Sequence, residues 1–157
     1  MVPKPVIGLF APSPTCDLHF GSLVAAVGSY LEAKSAGGSW LVLIEDIDPP
    51  REVTGSAEGI IHDLERLGMS PDKPPLYQST RVHVYQQITR QLLDEGHAYP
   101  CACSRKDLPA SGVYPGTCRK GIAAGKSARS VRFAVDERDY SFTDQVQGLV
   151  RNLPASL

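Results

Sequence analysis

No run of apolar residues in this 157-residue chain approaches the 18 or so needed to cross a bilayer, which argues against a membrane-spanning helix. The N-terminus, Met1 to Pro5, carries one Lys and two Pro and leads into an apolar stretch broken by Gly8. It lacks the continuous apolar segment and small-residue cleavage site of a signal peptide. A cytoplasmic chain without membrane attachment is therefore expected. A large excess of one charge is missing too: sixteen Lys and Arg face seventeen Asp and Glu. The balance argues against blanket electrostatic binding of nucleic acid and leaves room for a local basic patch. The four cysteines make no secreted disulfide framework, because three crowd into Cys101 to Cys118. There is no internal repeat and no low-complexity segment.

The apolar content of 42% and charged content of 21% are those of an ordinary globular chain, long enough to bury a sizeable core. Val6 to Ala11 is a short apolar run stopped by Pro12 and Pro14. Leu23, Ala26, Val27, Tyr30 and Leu31 follow at the spacing of a core-facing helix, ended by Gly37 and Gly38. Trp40 to Ile44 is continuously apolar, which predicts a parallel strand buried on both faces. Strand, helix and strand in this order make a βαβ unit, for which a right-handed crossover is expected.

Ala57, Ile60, Ile61, Leu64 and Leu67 predict a second helix, with Gly68 as its C-cap. Leu76 to Gln78 reads as a short third strand, and Val84, Tyr85, Ile88 and Leu92 mark a third helix. Ala98 to Ala102 looks extended. Ser130 to Val135 and Tyr140 to Thr143 read as two strands of a hairpin around Asp136 to Asp139, while Leu149 to Leu157 show no decisive pattern. Helical stripes give way to turns and short strands near Pro100, which places a domain boundary between residues 1–99 and 100–157.

Three clusters of residues carry chemistry. The first is Phe10 to Ser22, between the first strand and first helix, where an open α/β sheet binds its ligands. The helix N-terminus offers unpaired N–H groups to an anion, His19 adds a donor, and Gly21 permits close approach. A capped helix with an incidental histidine is the plainer reading. The second is Glu45 to Glu52, whose carboxylates sit at the same rim and suit an ammonium group, a ribose hydroxyl or a cation. A solvated turn with an Asp–Arg pair is the alternative. The third is Cys101, Cys103 and Cys118, three thiols that suit zinc, with Tyr114 as an unusual fourth ligand. Reduced, buried thiols are its alternative.

Together the runs FAPSPT with LHFGSL, WLVLIEDIDPPRE, YQSTR, and YPCACSR with YPGTCR closely resemble the glutamyl-Q tRNA(Asp) synthetase family, a shortened branch of the class I glutamyl-tRNA synthetases. The resemblance spans residues 7 to 150, about the N-terminal half of a typical member. It implies an α/β fold: the N-terminal half of a Rossmann-type catalytic domain, followed by a small zinc-bearing α+β subdomain. It implies activation of glutamate with ATP and Mg²⁺, and transfer to the queuosine base of tRNA(Asp), by a monomer.

By the same resemblance, His19, Gly21 and Ser22 belong to the ATP-contacting signature, Ser13 to the glutamate-binding strand end, and Glu45 to the α-amino contact. Cys101, Cys103, Tyr114 and Cys118 correspond to structural Zn²⁺ ligands. Three positions depart from the family pattern. Leu9 and Leu43 stand where Arg is usual, and Cys16 where Gly is usual. A lysine-bearing loop that would stabilise pyrophosphate is absent from these residues. The expectation is a truncated chain, weakly active or inactive in glutamate activation. Its alternative is a non-enzymatic, zinc-stabilised remnant that binds tRNA or nucleotide.

Overall fold

The computed structural model describes residues 5–111, 113–136 and 140–152. It forms two compact units, Met1–His83 and Val84–Leu157. In the first, β1 (Ile7–Phe10), α1 (Phe20–Ser35) and β2 (Ser39–Ile44) form the βαβ unit that the pattern predicts. The helix α2 (Ser56–Arg66) then leads to the two-residue strand β3 (Leu76–Tyr77). The sheet is parallel in the order β1-β2-β3, with Gly8 beside Trp40 and Phe10 beside Val42.

The core lies on one face of this sheet. Phe10, Trp40, Val42 and Ile44 meet Ala26 and Ala33 of α1, Ile60 and Leu64 of α2, and Met69. Trp40 stacks on Phe10 with ring centroids 6.4 Å apart, meets Tyr30 edge-on at 5.2 Å, and donates from Nε1 to Ser29 Oγ at 2.9 Å. Gly8 lets α1 come this close, because a Cβ there would stand 2.6 Å from Ser29 O and 2.9 Å from Ala33 Cβ. Lys34 and Asp72 close the edge with an ion pair of 2.5 Å, and Asp72 also accepts the Trp40 N–H at 2.6 Å.

Two expectations change here. The strand β2 alternates half-buried and buried positions instead of being buried on both faces. The buried apolar residues of α1 and α2 all join one cluster, leaving Ile7, Leu9 and Leu76 exposed at 64, 52 and 38%. The stripe of α1 is also displaced. Ala26, Tyr30 and Ala33 face the core, while Val27 and Leu31 are exposed. Small residues serve at the contact because the helix packs tightly over Gly8.

The units divide within α3 (Val82–Asp94), and the composition change near Pro100 falls inside the second unit. There β4 (Ala98–Cys101) pairs antiparallel with β5 (Ser130–Phe133), and β6 (Tyr140–Asp144) pairs with β7 (Gly148–Asn152). The expected hairpin of β5 with β6 is therefore replaced by two other pairings. Most of its turn, residues 137–139, lies outside the described residues. Strand β7 escaped the sequence reading, and its turn is built by Asp144 Oδ1 accepting the N–H groups of Val146 and Gln147, both at 2.8 Å. Among the described residues, no helix is long and apolar enough to cross a membrane.

Candidate functional site

The carboxyl end of β1 and the first turn of α1 carry a cleft of about 400 Å³ whose lining includes Phe10, Ser13, Thr15, His19, Gly21 and Ser22. The chain leaves β1 through Pro12 and Pro14, and Glu45 N–H donates to Pro12 O at 3.0 Å, tying the two strand ends together. Across that tie Ser13 Oγ donates to Glu45 Oε2 at 3.2 Å. Glu45 does not itself line the cleft and reaches it through Ser13.

His19 is the N-cap of α1, in extended backbone conformation. Its Nδ1 accepts the Ser22 N–H at 3.2 Å, and its Nε2 stands 3.1 Å from Ser22 Oγ. With Nδ1 accepting, the neutral ring carries its proton on Nε2 and donates it to the Ser22 hydroxyl. One amide of the helix N-terminus is thus already occupied by the histidine. An anion placed at this turn would have to compete with Ser22 for the Nε2 proton. Gly21 has a local role: a Cβ there would stand 3.1 Å from His19 Cε1, so glycine lets the ring fold over the first turn.

The carboxylates after β2 do different work. Asp46 accepts from Ser79 N–H at 2.8 Å and from Ser79 Oγ at 2.5 Å. Burial works against its charge, but the Ser79 hydroxyl and amide outweigh it and hold the carboxyl below its ordinary range. Asp48 pairs with Arg51, the turn that the plainer reading describes. Only Glu45 of these groups meets Ser13.

In the second unit the Sγ atoms of Cys101, Cys103 and Cys118 lie within 4.8 Å of one another. Cys103 and Cys118 sulfurs are 3.6 Å apart, and the Tyr114 hydroxyl is 3.4 Å from Cys101 Sγ and 3.7 Å from Cys103 Sγ. Tetrahedral ligands about 2.3 Å from zinc stand about 3.7 Å from one another, so the donor set fits such an ion. Tyr114 also accepts the Cys118 N–H at 2.8 Å.

Burial opposes a thiolate at Cys101, yet contacts with Tyr114 and Arg132 bring its pKa down to about 6. At Cys118 the Tyr114 hydroxyl again lowers the pKa. At Cys103 the same hydroxyl is outweighed by desolvation and the neighbouring thiols, which push the pKa up. Burial, then the neighbouring thiols, raise that of Tyr114.

Arg132 is the residue that sequence reasoning missed. Its Nε donates to Cys101 Sγ at 3.2 Å, and its guanidinium carbon lies 3.7 Å from the Tyr114 ring centroid. On β5 it is half-buried while Val131 and Phe133 are exposed at 44 and 62%. The polar side chain points in and the apolar ones out, a reversal that needs the strand pairing to be seen.

Comparison with known proteins places these sites in context. Residues 5–111 match the family model for tRNA synthetases class I (E and Q), catalytic domain. The glutamyl-Q tRNA(Asp) synthetase of Dechloromonas aromatica is 49% identical over 156 residues, covering 94% of this chain and 52% of that protein. The protein of the same name from Chromobacterium violaceum is 47% identical over 148 residues, covering 90% of this chain and 50% of the relative. Among solved structures, a glutamate tRNA ligase from Elizabethkingia meningosepticum, in complex with its amino acid, superposes with a TM-score of 0.76 at 27% identity. That match covers 98% of this chain and 37% of the ligase. The chain spans about half the length of the curated relatives it matches.

Proposed function

Because this chain belongs to the class I tRNA synthetase (E and Q) catalytic-domain family, we propose that it carries the ATP- and glutamate-facing part of a glutamyl-Q tRNA(Asp) synthetase. The reaction is activation of glutamate by ATP with Mg²⁺, followed by transfer to the queuosine base of tRNA(Asp). The observation that carries this reading is that Ser13, His19 and Ser22 line one cleft, while Ser13 also donates to Glu45 across the ends of two adjacent parallel strands. In this reading phosphate or ribose contacts the His19 to Ser22 turn, and Glu45, oriented by Ser13, receives the substrate ammonium. Cys101, Cys103, Tyr114 and Cys118 hold a structural zinc ion, which stabilises the second unit.

Activation is slow in this reading. Leu9 and Leu43 offer no charge to a carboxylate, and a lost electrostatic donor of this kind costs about 3–4 kcal/mol, or roughly two to three decades in rate. These two leucines favour a second reading, a nucleotide- or tRNA-binding module without activation chemistry. ATP–pyrophosphate exchange with glutamate tests the activation step, and exchange near that of a full-length relative overturns the slow-activation claim. Chemical-shift mapping with ATP tests the site. Changes centred on residues 13–22 and 45 are expected, and changes confined elsewhere overturn the assignment.

A further inference from the structure

The loop from β1 to α1 forms one wall of the cleft and is held largely from outside. Pro12 and Pro14 have no N–H to give, and within the loop Thr15 N–H reaches Ser13 O at 2.8 Å. Its alternate carbonyls are tied to another segment. Pro12 O accepts Glu45 N–H at 3.0 Å, and Pro14 O accepts Val53 N–H at 2.9 Å. Cys16 O accepts the Ser56 hydroxyl, also at 2.9 Å. All three donors lie between the end of β2 and the start of α2.

Of these ties, the third alone is made by a side chain. Ser56 is the first residue of α2 and is 6% exposed, the one buried polar residue that is not cysteine among the described residues. A serine at a helix start commonly accepts an N–H of its own helix. Here Gly55 occupies the N-cap of α2 without a side-chain cap, and the Ser56 hydroxyl donates outward to Cys16. A buried hydroxyl or carbonyl without a partner is costly, so the contact constrains both residues.

Its place in the chain makes it bear on the cleft. Among the described residues, Asp17 and Leu18 make no hydrogen bond, so the Cys16 carbonyl is the last such tie before His19, the N-cap of α1. Leu18 adds an apolar contact with the core, while Thr15, Cys16 and His19 line the cleft. Ser56 is not among the lining residues, although Ile60, one turn further along α2, is.

We propose that Ser56 is a positioning residue of the cleft: its hydroxyl holds Cys16 so that the His19 ring stays folded over the first turn of α1, where a nucleotide would meet it. The inference rests on the proposed function for the nucleotide, and it adds a residue that acts through the loop.

The test compares the full chain with Ser56→Ala and with Ser29→Ala, which removes another serine contact of the same unit, the acceptor of Trp40 Nε1. Urea unfolding ranks their stabilities, and calorimetry with Mg·ATP well below the midpoints measures binding. Ser56→Ala should bind ATP about 3- to 10-fold more weakly, the range of one neutral hydrogen bond. Ser29→Ala should bind it as the parent does. Without ATP, at about pH 8 where histidine is neutral, the ring ¹⁵N shifts report the tautomer. Those of His19 should move toward one another in Ser56→Ala, and the Ser22 amide should exchange about 3- to 10-fold faster. Neither should change in Ser29→Ala. Ser56→Cys, a weak donor of similar size, should fall between the parent and Ser56→Ala, and it carries the test where the alanine variant does not fold.

Parent-like His19 and Ser22 signals in folded Ser56→Ala overturn the proposal, and with ATP bound at parent affinity they leave the nucleotide reading intact. An equal loss of ATP affinity in Ser29→Ala overturns it too, since stability alone would then explain the effect. Altered signals in a chain that binds no ATP support Ser56 as a positioning residue and count against the nucleotide reading.

Discussion

Replacing Arg132 by Met is expected to weaken metal binding at the cysteine cluster without unfolding the second unit. Three thiolates on a divalent ion carry a net charge of −1, and Cys101 is fully buried. The guanidinium at 3.2 Å from Cys101 Sγ offsets that charge and fixes the direction of the thiolate lone pair. Its plane also covers Tyr114, orienting the hydroxyl toward the same centre. Partners of this kind are worth about 10- to 100-fold in metal affinity, or about 1.4–2.8 kcal/mol. Methionine preserves the apolar stem and removes only the charge and the donor. Competition for Zn²⁺ against a chromogenic chelator measures the affinity, and the thiolate-to-Co²⁺ absorption band reports the geometry. Arg132→Lys should recover part of the loss, because an ammonium supplies the charge but not the stacked plane. An unchanged zinc affinity in Arg132→Met would refute the reasoning, and so would full recovery with lysine.

Three further outcomes follow from the first unit. Gly8→Ala forces a methyl group against Ser29 O and Ala33 Cβ, and should lower stability in urea by about 1–3 kcal/mol; an unchanged midpoint would mean that α1 shifts freely. The Lys34 hydrogen bond and then the Trp40 N–H hold Asp72 below its ordinary pKa of 3.8, so its contribution is present above that value and lost as pH falls through the lower folded one. Asp72→Asn should therefore flatten the acid limb of the stability profile below about pH 4, and an unaltered limb counts against it. His19→Ala removes the cap of α1, which should cost about 0.5–2 kcal/mol. It should also weaken ATP, as calorimetry would register, and ATP affinity equal to that of the parent chain would dismiss His19 as a contact.

The βαβ unit was legible because two local periodicities, the stripe around Ala26 and Tyr30 and the run Trp40 to Ile44, switch at a glycine pair. Which face each residue takes was less legible. Leu31 and Val27 have the hydrophobicity of core residues, and only the close approach at Gly8 selects Ala26 and Ala33 in their place. Pairing of β5 was hidden for a related reason. Its partner β4 is distant in sequence, with the cysteine loop between them, whereas the neighbouring β6 with a polar turn imitates a local hairpin. The cysteine cluster declared itself by residue type, because three thiols fall within eighteen residues. Arg132 did not, because a single arginine in a strand has no meaning until its partner strand brings Cys101 alongside.

The departures at Leu9 and Leu43 acquire a common meaning from the register of the sheet. Leu9 pairs with Leu41 across β1 and β2, and Leu43 lies two residues further along β2. Alternation puts both on the face opposite the core, where Ile7 and Leu76 are also exposed. The two arginines that the family resemblance leads one to expect would share this layer, a short distance from the Ser13–Glu45 contact. Their joint replacement by leucine changes one continuous surface from cationic to apolar, while Ser13, His19, Ser22 and Glu45 keep their mutual geometry. Under the proposed function, loss of charge at the layer of Leu9 and Leu43 and retention of the His19 to Ser22 turn are therefore separable. Restoring Arg at position 9 alone would set one guanidinium among Ile7, Leu41 and Leu43, without the second cation that shares a carboxylate. Recovery of exchange should need Leu9→Arg together with Leu43→Arg, and recovery with the single change would show that the two positions act independently.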